Sequence, residues 1–447
     1  MHKKHMHRNG NGKTFAGGLL ATAMLTVAGC GGGGTPSDEA ATAPARPGDA
    51  SGEIKVLTHR TDLVQNGTMK AYAAEFNKTH PKVKVTFEAI TDYEGEVKIR
   101  MNTDDYGDVL MIPNAVAQND YPSFFAPLGS TSELSKKYRF TDKSTVGGKV
   151  YGTASVGNAN GFIYNKAVWK RAGVTDWPTT PGQFIEDLKK IKSRTDAVPF
   201  YTNFKDAWPL TQWTSVLGSV GCDAKANDKL VDSSDPWAKG GDLNTADTLL
   251  YDIVHDKLAE KDPTTTNWEN SKGLIAKGEI ATMQLGSWAI TQMRDAARKA
   301  GRNPDDIGYM PYPVQSDGVF CSMLNPDYLQ AVSVHSSHKQ AARAWIDWFT
   351  DASGFTQKEG SIPTLKGGAL PSTLKPYGDA GVKLVELSQA KSAQVNTIDN
   401  AAEIGLNKPD YRQKLVDLAR GVERGSLDDY FSDLAERWHE AARTAGS

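Results

Sequence analysis

From Glu53 onward the chain alternates short apolar runs with amphipathic stretches, and this alternation restricts it to a layered α/β architecture. Glu53-Ile54-Lys55-Val56-Leu57 reads as a strand. Met69, Tyr72, Ala73 and Phe76 follow at i, i+3, i+4 and i+7, the spacing of one helix face, and Pro81 ends that helix. Val83, Val85 and Phe87 alternate with Lys84, Thr86 and Glu88 as a second strand. Asp108-Val109-Leu110-Met111-Ile112 is a near-continuous apolar run of the kind found in parallel sheets covered on both faces. The pattern resumes with Gly161-Phe162-Ile163-Tyr164 and a helix around Phe184, Leu188 and Ile191, and further strands are expected at 280–285, 307–310 and 329–334. Ala341, Ala342, Trp345, Ile346 and Phe349 make one apolar helix face near the C-terminus, and Leu415, Leu418 and Val422 make another. The region holds about 395 residues, more than one hydrophobic core organises, so two lobes are expected.

The other end of the chain fixes a compartment. Lys3, Lys4, Arg8 and Lys13 precede an uncharged, mostly apolar run from Phe15 to Val27, the layout of a secretory signal peptide. The run is too short for a spanning helix, which needs ~20 apolar residues, and no later stretch reaches that length. It closes on Val27-Ala28-Gly29-Cys30, which resembles the lipobox of bacterial lipoproteins. The expectation is a signal peptide over 1–29 and a diacylglyceryl thioether on Cys30, whose two acyl chains anchor where one binds only marginally. The alternative is an ordinary signal peptide with a chance cysteine. From Gly31 to Gly52 the chain is mostly Gly, Thr, Pro, Ser and Ala, too poor in bulky residues to fold, and 30–52 is expected to be a lipidated flexible tether with a span of about 25 Å. Removing 1–29 takes away four Lys/Arg and no Asp/Glu, which moves the net charge from −2 to −6. An acidic chain without a basic block is poorly suited to neutralising phosphates, so a nucleic-acid partner is not expected.

Three segments carry a family resemblance. They are Gly161-Phe162-Ile163-Tyr164-Asn165-Lys166 continuing through Trp177-Pro178-Thr179-Thr180-Pro181, then Gly278-Glu279-Ile280 running into Gly286-Ser287-Trp288, and Ala207-Trp208-Pro209-Leu210. Together, across roughly Glu53 to Phe349, they are similar to the extracellular solute-binding proteins that include maltose-binding protein. The resemblance implies two α/β lobes joined by crossing strands, with a ligand held in the cleft and the lobes closing on it. Carried onto this chain, lobe 1 is expected over 53–155 plus 329–372, and lobe 2 over 160–322 plus 378–447. It further implies a monomer that captures a mono- or oligosaccharide for an ABC importer, with separate permease subunits and a separate ATPase, and with no cofactor and no metal.

The resemblance places Trp288 as an aromatic platform for a sugar ring. The C–H faces of a pyranose are apolar, and the helix expected to start there has unpaired amides to offer to ligand oxygens. Trp208 and Trp213 are five positions apart and do not share a clean helix face, so at most one is expected at the cleft; the resemblance favours Trp208, and the spacing assigns Trp213 to the core. Asn158 stands where maltose-binding protein carries a carboxylate, and an amide both donates to and accepts from hydroxyls. His59 and Asp62 follow the first strand and Asn114 the third, the ends of parallel strands where open sheets bind ligands. Asn203, Asn325 and Tyr328 join the candidates through homologous segments. Each of these polar residues reads equally as turn or loop chemistry, and Trp288 has a core tryptophan as its alternative. Cys222 and Cys321 remain as the other cysteines. A disulfide closing a loop of about 100 residues and a pair of free thiols both fit the sequence.

The competing class is a secreted carbohydrate-active enzyme, or a sensor or adhesin lipoprotein. The sequence carries no Gly-x-Ser-x-Gly, His-Glu-x-x-His, Cys-x-x-Cys or phosphate-loop motif, and no catalytic residue is assigned. A glycosidase needs only two opposed carboxylates, which among 53 acidic residues leave no motif. The binding reading rests on the three family segments.

Overall fold

The computed structural model describes residues 42–44, 46 and 48–445; the signal segment, Cys30 and the first part of the expected tether lie outside them. The first lobe is built on a parallel core. Gly52–Thr58 runs parallel to Val83–Ala89 over seven paired positions and meets Val109–Met111 on its other side through Val56 and Val109. Leu329–Ser333 returns from far along the chain to pair antiparallel with Val109–Met111, Phe125–Ala126 and Thr153–Ala154. Side chains alternate across this sheet as the two-residue period of a strand requires. Ile54, Val56, Val109 and Val332 face a core with Tyr72 and Phe76 of the helix Thr68–Phe76 and with Trp345 and Phe349 of the helix Lys339–Asp351. Leu57, Leu110 and Ala331 face the other way, into a cluster that continues across the seam to Met283, Leu285 and Ile290.

The second lobe centres on Phe162–Asn165, flanked antiparallel by Thr282–Gln284 and Ile307–Met310. Its core gathers Phe162, Phe184, Phe200, Trp213, Leu250, Leu415 and Trp438, with helices Pro181–Arg194, Asp242–His255, Asp410–Ala419 and Leu427–Ala445 around it. Local chemistry explains the motifs read in the sequence. Asn165 caps the helix Lys166–Arg171 by accepting from the Val168 amide at 3.1 Å, and its own amide donates to the Ile275 carbonyl at 2.8 Å. Thr180 caps Pro181–Arg194 through the Gln183 amide, with Pro181 at the first helical position.

Crossing strands join the lobes. Gly157–Ala159 pairs antiparallel with Val319–Pro326, which also runs parallel to Lys383–Glu386. Gly157 and Ile362 exchange two backbone hydrogen bonds of 2.8 Å. The Tyr309 hydroxyl donates to the Ala159 carbonyl at 2.7 Å or the Leu285 carbonyl at 3.0 Å. Gly161 passes so close that a Cβ there would lie 2.3 Å from the Met310 carbonyl oxygen and 2.6 Å from the Tyr377 hydroxyl. Cys222 and Cys321 are joined by a disulfide with their Cα atoms 5.5 Å apart, tying a loop of the second lobe to the crossing strand Val319–Pro326.

Two details depart from the sequence reading. Val422 is 63% exposed instead of lying on an apolar helix face, because the helix stops at Ala419 and Gly421 turns the chain with φ 74°. Within the span expected to be a free tether, Thr42 and Ala50 are buried, and Arg343 Nη1 donates to the Thr42 carbonyl at 3.2 Å, so that stretch packs on the first lobe before the first strand begins.

Candidate functional site: the interlobe cavity

A cavity of about 260 Å³ opens at the C-terminal ends of the first lobe's parallel strands, where strand ends leave backbone and loop side chains free to face a ligand. Thr58, His59 and Arg60 come from the end of Gly52–Thr58, Met111 from the end of Val109–Met111, and Ser155 and Asp327 from the two crossings. Trp288 and Gln292 reach in from the second lobe.

Gly286-Ser287-Trp288 is a small machine for presenting an indole. The Trp288 ring folds back over Gly286, where a Cβ would come within 2.7 Å of the indole. Ser287 is fully buried; its amide donates to the Ala159 carbonyl at 3.0 Å and its Oγ accepts from the Ala159 amide at 3.0 Å, which fixes the turn to the crossing strand. Trp288 itself stands at the position just before the helix Ala289–Lys299, without a side-chain capping bond, and stays half-buried. Trp208 lies beside it at 5.8 Å between centroids and Trp268 at 5.7 Å, with 5.1 Å between Trp208 and Trp268. Offset and edge-on pairs at these spacings are the favourable ones for aromatic rings. The backbone donors expected at this helix start are mostly engaged: Ala289 and Ile290 donate to the carbonyls of Gly286 and Ser287. The site therefore offers a ring face more than a ring of free amides.

Across the cleft the polar groups are held in networks. Arg60 Nε and Nη2 donate to the two carboxylate oxygens of Asp62 at 2.9 and 2.8 Å, and Nη1 donates to Glu359 Oε2 at 2.6 Å. The hydrogen bond from Arg60 lowers the Asp62 pKa, against the opposing effect of partial burial. Thr291 Oγ1, on the helix after Trp288, donates to the Glu359 carbonyl at 2.9 Å, so the lobes touch beside the tryptophan. His59 packs against Tyr328 with centroids 4.9 Å apart and the rings tilted by 39°, and sets Nδ1 3.3 Å from the Met111 sulfur. Burial lowers its pKa, opposed by Asp327 and Asp62 and reinforced by Arg60, which favours the neutral imidazole. The Tyr328 hydroxyl donates to Glu94 Oε1 at 2.7 Å, and Asn114 donates to both Glu94 oxygens, 2.9 Å from its amide and 3.0 Å from Nδ2.

The candidates thus divide. His59 and Trp288 line the cavity; Asp62, Tyr328 and Asn114 are not among its lining residues and are held in the Arg60 and Glu94 networks, with Asp62 and Asn114 exposed, and Trp208 packs beside Trp288. Asn158 and Asn325 face each other as cross-strand partners on the crossing, and Asn158 Oδ1 is buried without a partner. Asn203 is buried inside the second lobe with φ 56° and its amide against the Met283 sulfur at 3.4 Å; none of these three lines the cavity. Sequence reasoning missed Trp268, Asp327, Gln292 and Glu359 as site residues, and Arg60, which also follows the first strand, was not carried into the candidate set. For Trp268 a signal existed: it opens a helix directly after the capping residue Asn267, as Trp208 opens one and Trp288 stands at the start of another.

Two lobes, a cleft at the strand ends, an aromatic wall and a hydrogen-bonding rim define a protein that encloses a small ligand between domains. The family model for the bacterial extracellular solute-binding protein matches residues 61–354, and the chain belongs to that family. It is 32% identical to the binding protein of an ABC transporter from Bifidobacterium animalis subsp. lactis, solved in complex with mannobiose; the match covers 90% of this chain and 97% of that one, with a TM-score of 0.82. A manno-oligosaccharide specific solute binding protein from the same organism, in complex with mannotriose, is 30% identical over 89% of this chain and 96% of that one, with a TM-score of 0.81. The multiple sugar-binding protein of Streptococcus mutans is 25% identical over 68% of this chain and 73% of its own length. Among the described residues no helix is long and apolar enough to cross a membrane.

Proposed function

We propose that this protein captures a neutral mono- or oligosaccharide in the interlobe cleft and delivers it to the permease of an ABC importer, whose ATPase is a separate chain. The observation that carries the reading is the Trp288 indole, braced by Trp208 and Trp268 and facing the polar rim of the first lobe, since a sugar is apolar on its ring faces and polar at its edge. Asp327 and Glu359 outnumber Arg60 among the charged groups lining the cavity, which disfavours an anionic ligand such as a uronate or a sugar phosphate. The relatives solved with mannobiose and mannotriose support a saccharide. Binding without catalysis is the reading adopted, with the lobes divided as 53–155 plus 329–372 and 160–322 plus 378–447, and with the ligand-contacting set centred on Trp288 and His59.

A thermal-shift screen of the purified protein against neutral mono- and oligosaccharides tests it. A ligand at 100 times its Kd stabilises the fold by ~2.7 kcal/mol, well above the noise of such a scan. Stabilisation by amino acids or peptides with none by any saccharide would overturn the sugar assignment. We further propose anchoring of the exported chain to the outer face of the cell membrane through a diacylglyceryl group on Cys30, motivated by Val27-Ala28-Gly29-Cys30. Cys30→Ala is expected to release the protein from the membrane fraction, and full retention would place the anchor elsewhere.

A further inference from the structure

Helix capping explains Asn165 and Thr180 in the stretch 161–181, but not the aromatic and basic side chains around them. These build a second cavity, of about 310 Å³, that shares no lining residue with the interlobe one. Tyr164, Trp169, Val174 and Trp177 make its walls, and the exposed Lys166 and Lys170 stand at its rim. The walls are held in place. Tyr164 pairs with Gly308 across the sheet, and a Cβ on Gly308 would lie 2.5 Å from the Tyr164 ring and 2.9 Å from Lys166 Cγ, so only the bare glycine lets the phenol and the lysine stem lie against the strand. The Trp177 indole donates to the Tyr164 hydroxyl at 3.1 Å, and its ring packs edge-on against Phe320 of the crossing strand Val319–Pro326, with centroids 6.2 Å apart. Lys166 and Lys170 lie one helical turn apart, the spacing at which like charges repel, and neither ammonium has a hydrogen bond or ion pair among the described residues. The three lysines of the next helix, Pro181–Arg194, are all engaged: Lys189 and Lys190 with carboxylates and Lys192 with the Lys257 carbonyl. The one carboxylate lining the cavity, Asp176, accepts from Thr175 Oγ1 at 3.2 Å, so two cations face one anion on a chain whose net charge is −2.

We propose that this cavity docks a short acidic segment of the importer's permease, with a carboxylate set between Lys166 and Lys170 and a neighbouring apolar side chain seated against Tyr164 and Trp177. The proposal rests on the importer reading and adds a surface through which delivery is made. A neutral saccharide leaves both ammoniums without a counter-charge, and a flat bilayer surface leaves the recess between the aromatic walls unfilled. An acidic segment with an apolar neighbour meets both features, and the net negative charge of the chain as a whole disfavours its approach elsewhere. Because Trp177 touches Phe320, the docked segment lies one aromatic contact from the strand that joins the lobes.

Binding of the purified chain to nanodiscs that hold the importer's permease and ATPase tests this, with Cys30→Ala used throughout so that no lipid at that position contributes, and with empty nanodiscs of the same lipid in parallel. The chain is expected to bind the permease discs and not the empty ones. Lys166→Glu together with Lys170→Glu should raise the Kd for the permease discs about tenfold or more, since each reversal turns an attraction into a repulsion, while the thermal shift given by saccharide stays as in the parent. Lys166→Arg together with Lys170→Arg keeps both charges and should hold that Kd within about twofold. An unchanged Kd in the Glu pair, or no binding to the permease discs, overturns the docking surface; so does equal binding to the empty discs, which would make the contact one with lipid. The saccharide screen is read separately: any of these results beside a positive screen sinks the surface alone, and a screen negative throughout sinks the saccharide reading.

Discussion

Replacing Trp288 with alanine separates a platform from a core residue, because the two roles put the loss in different measurements. A large aromatic side chain buries ~150–250 Å² when fully covered, so one indole face covered by a sugar ring removes about 80 Å² from water, which at ~25 cal/mol/Å² is worth about 2 kcal/mol, or about 30-fold in Kd. The folding cost follows from the neighbours that remain. Trp288 is half-buried and pairs with Trp208 and Trp268, and each aromatic pair contributes ~0.5–1.5 kcal/mol beyond its area, so stability should fall by about 1–3 kcal/mol, less than the ~3–5 kcal/mol of a fully buried aromatic. Titration calorimetry with the cognate sugar and urea unfolding of the same preparation read the two losses. Trp288→Phe keeps a ring face and should recover most of the affinity. Wild-type affinity in Trp288→Ala, together with a loss of stability above ~3 kcal/mol, would show that the indole belongs to the core and that the ligand lies elsewhere.

Burial lowers the His59 pKa from its ordinary value of 6.5, so below that pH the unfolded chain binds the extra proton and stability falls as pH drops toward the folded value. His59→Asn should remove this part of the acid slope; urea midpoints of variant and wild type that stay parallel between about pH 7.5 and about pH 5 would refute it. Asp247 and Arg412 are fully buried, with Arg412 Nε 2.8 Å from Asp247 Oδ1 and the Trp237 indole donating to Oδ2 at 3.0 Å, so Asp247→Ala should cost ~3–5 kcal/mol by stranding the guanidinium. Removing both charges in an Asp247→Leu, Arg412→Met protein should recover part of that loss, and a single-variant loss under ~1 kcal/mol would contradict the burial. Cutting the Cys222–Cys321 link, 99 residues apart in sequence, should destabilise by about 4–5 kcal/mol on the chain-entropy argument; a reduced protein with an unshifted urea midpoint would count against the bond.

Much of the fold was legible because its determinants are local. The strand Val83–Ala89 and the helices Thr68–Phe76 and Lys339–Asp351 announce themselves in periods of two and 3.6, and Asn165 and Thr180 cap their helices through bonds to residues three positions on. Gly286-Ser287-Trp288 was readable for the same reason, since the glycine clears the indole two residues later. Val422 was misread because a periodic face does not reveal where Gly421 ends the helix. The rest of the site depends on where the lobes bring distant segments. Tyr328 and Glu94, 234 positions apart, meet only because Leu329–Ser333 returns to the first sheet, and Trp208 and Trp268 meet Trp288 only through the packing of three separate helix starts. Asn158, Asn325 and Asn203 have the chemistry of ligand contacts, and tertiary pairing placed two on a crossing ladder and one inside a lobe. Sequence by itself determined the elements and the residue types, because backbone propensity and side-chain period act over a few residues. Which side chains share the cavity was decided by the tertiary structure, because those contacts form only once the strands have crossed and the cores have closed.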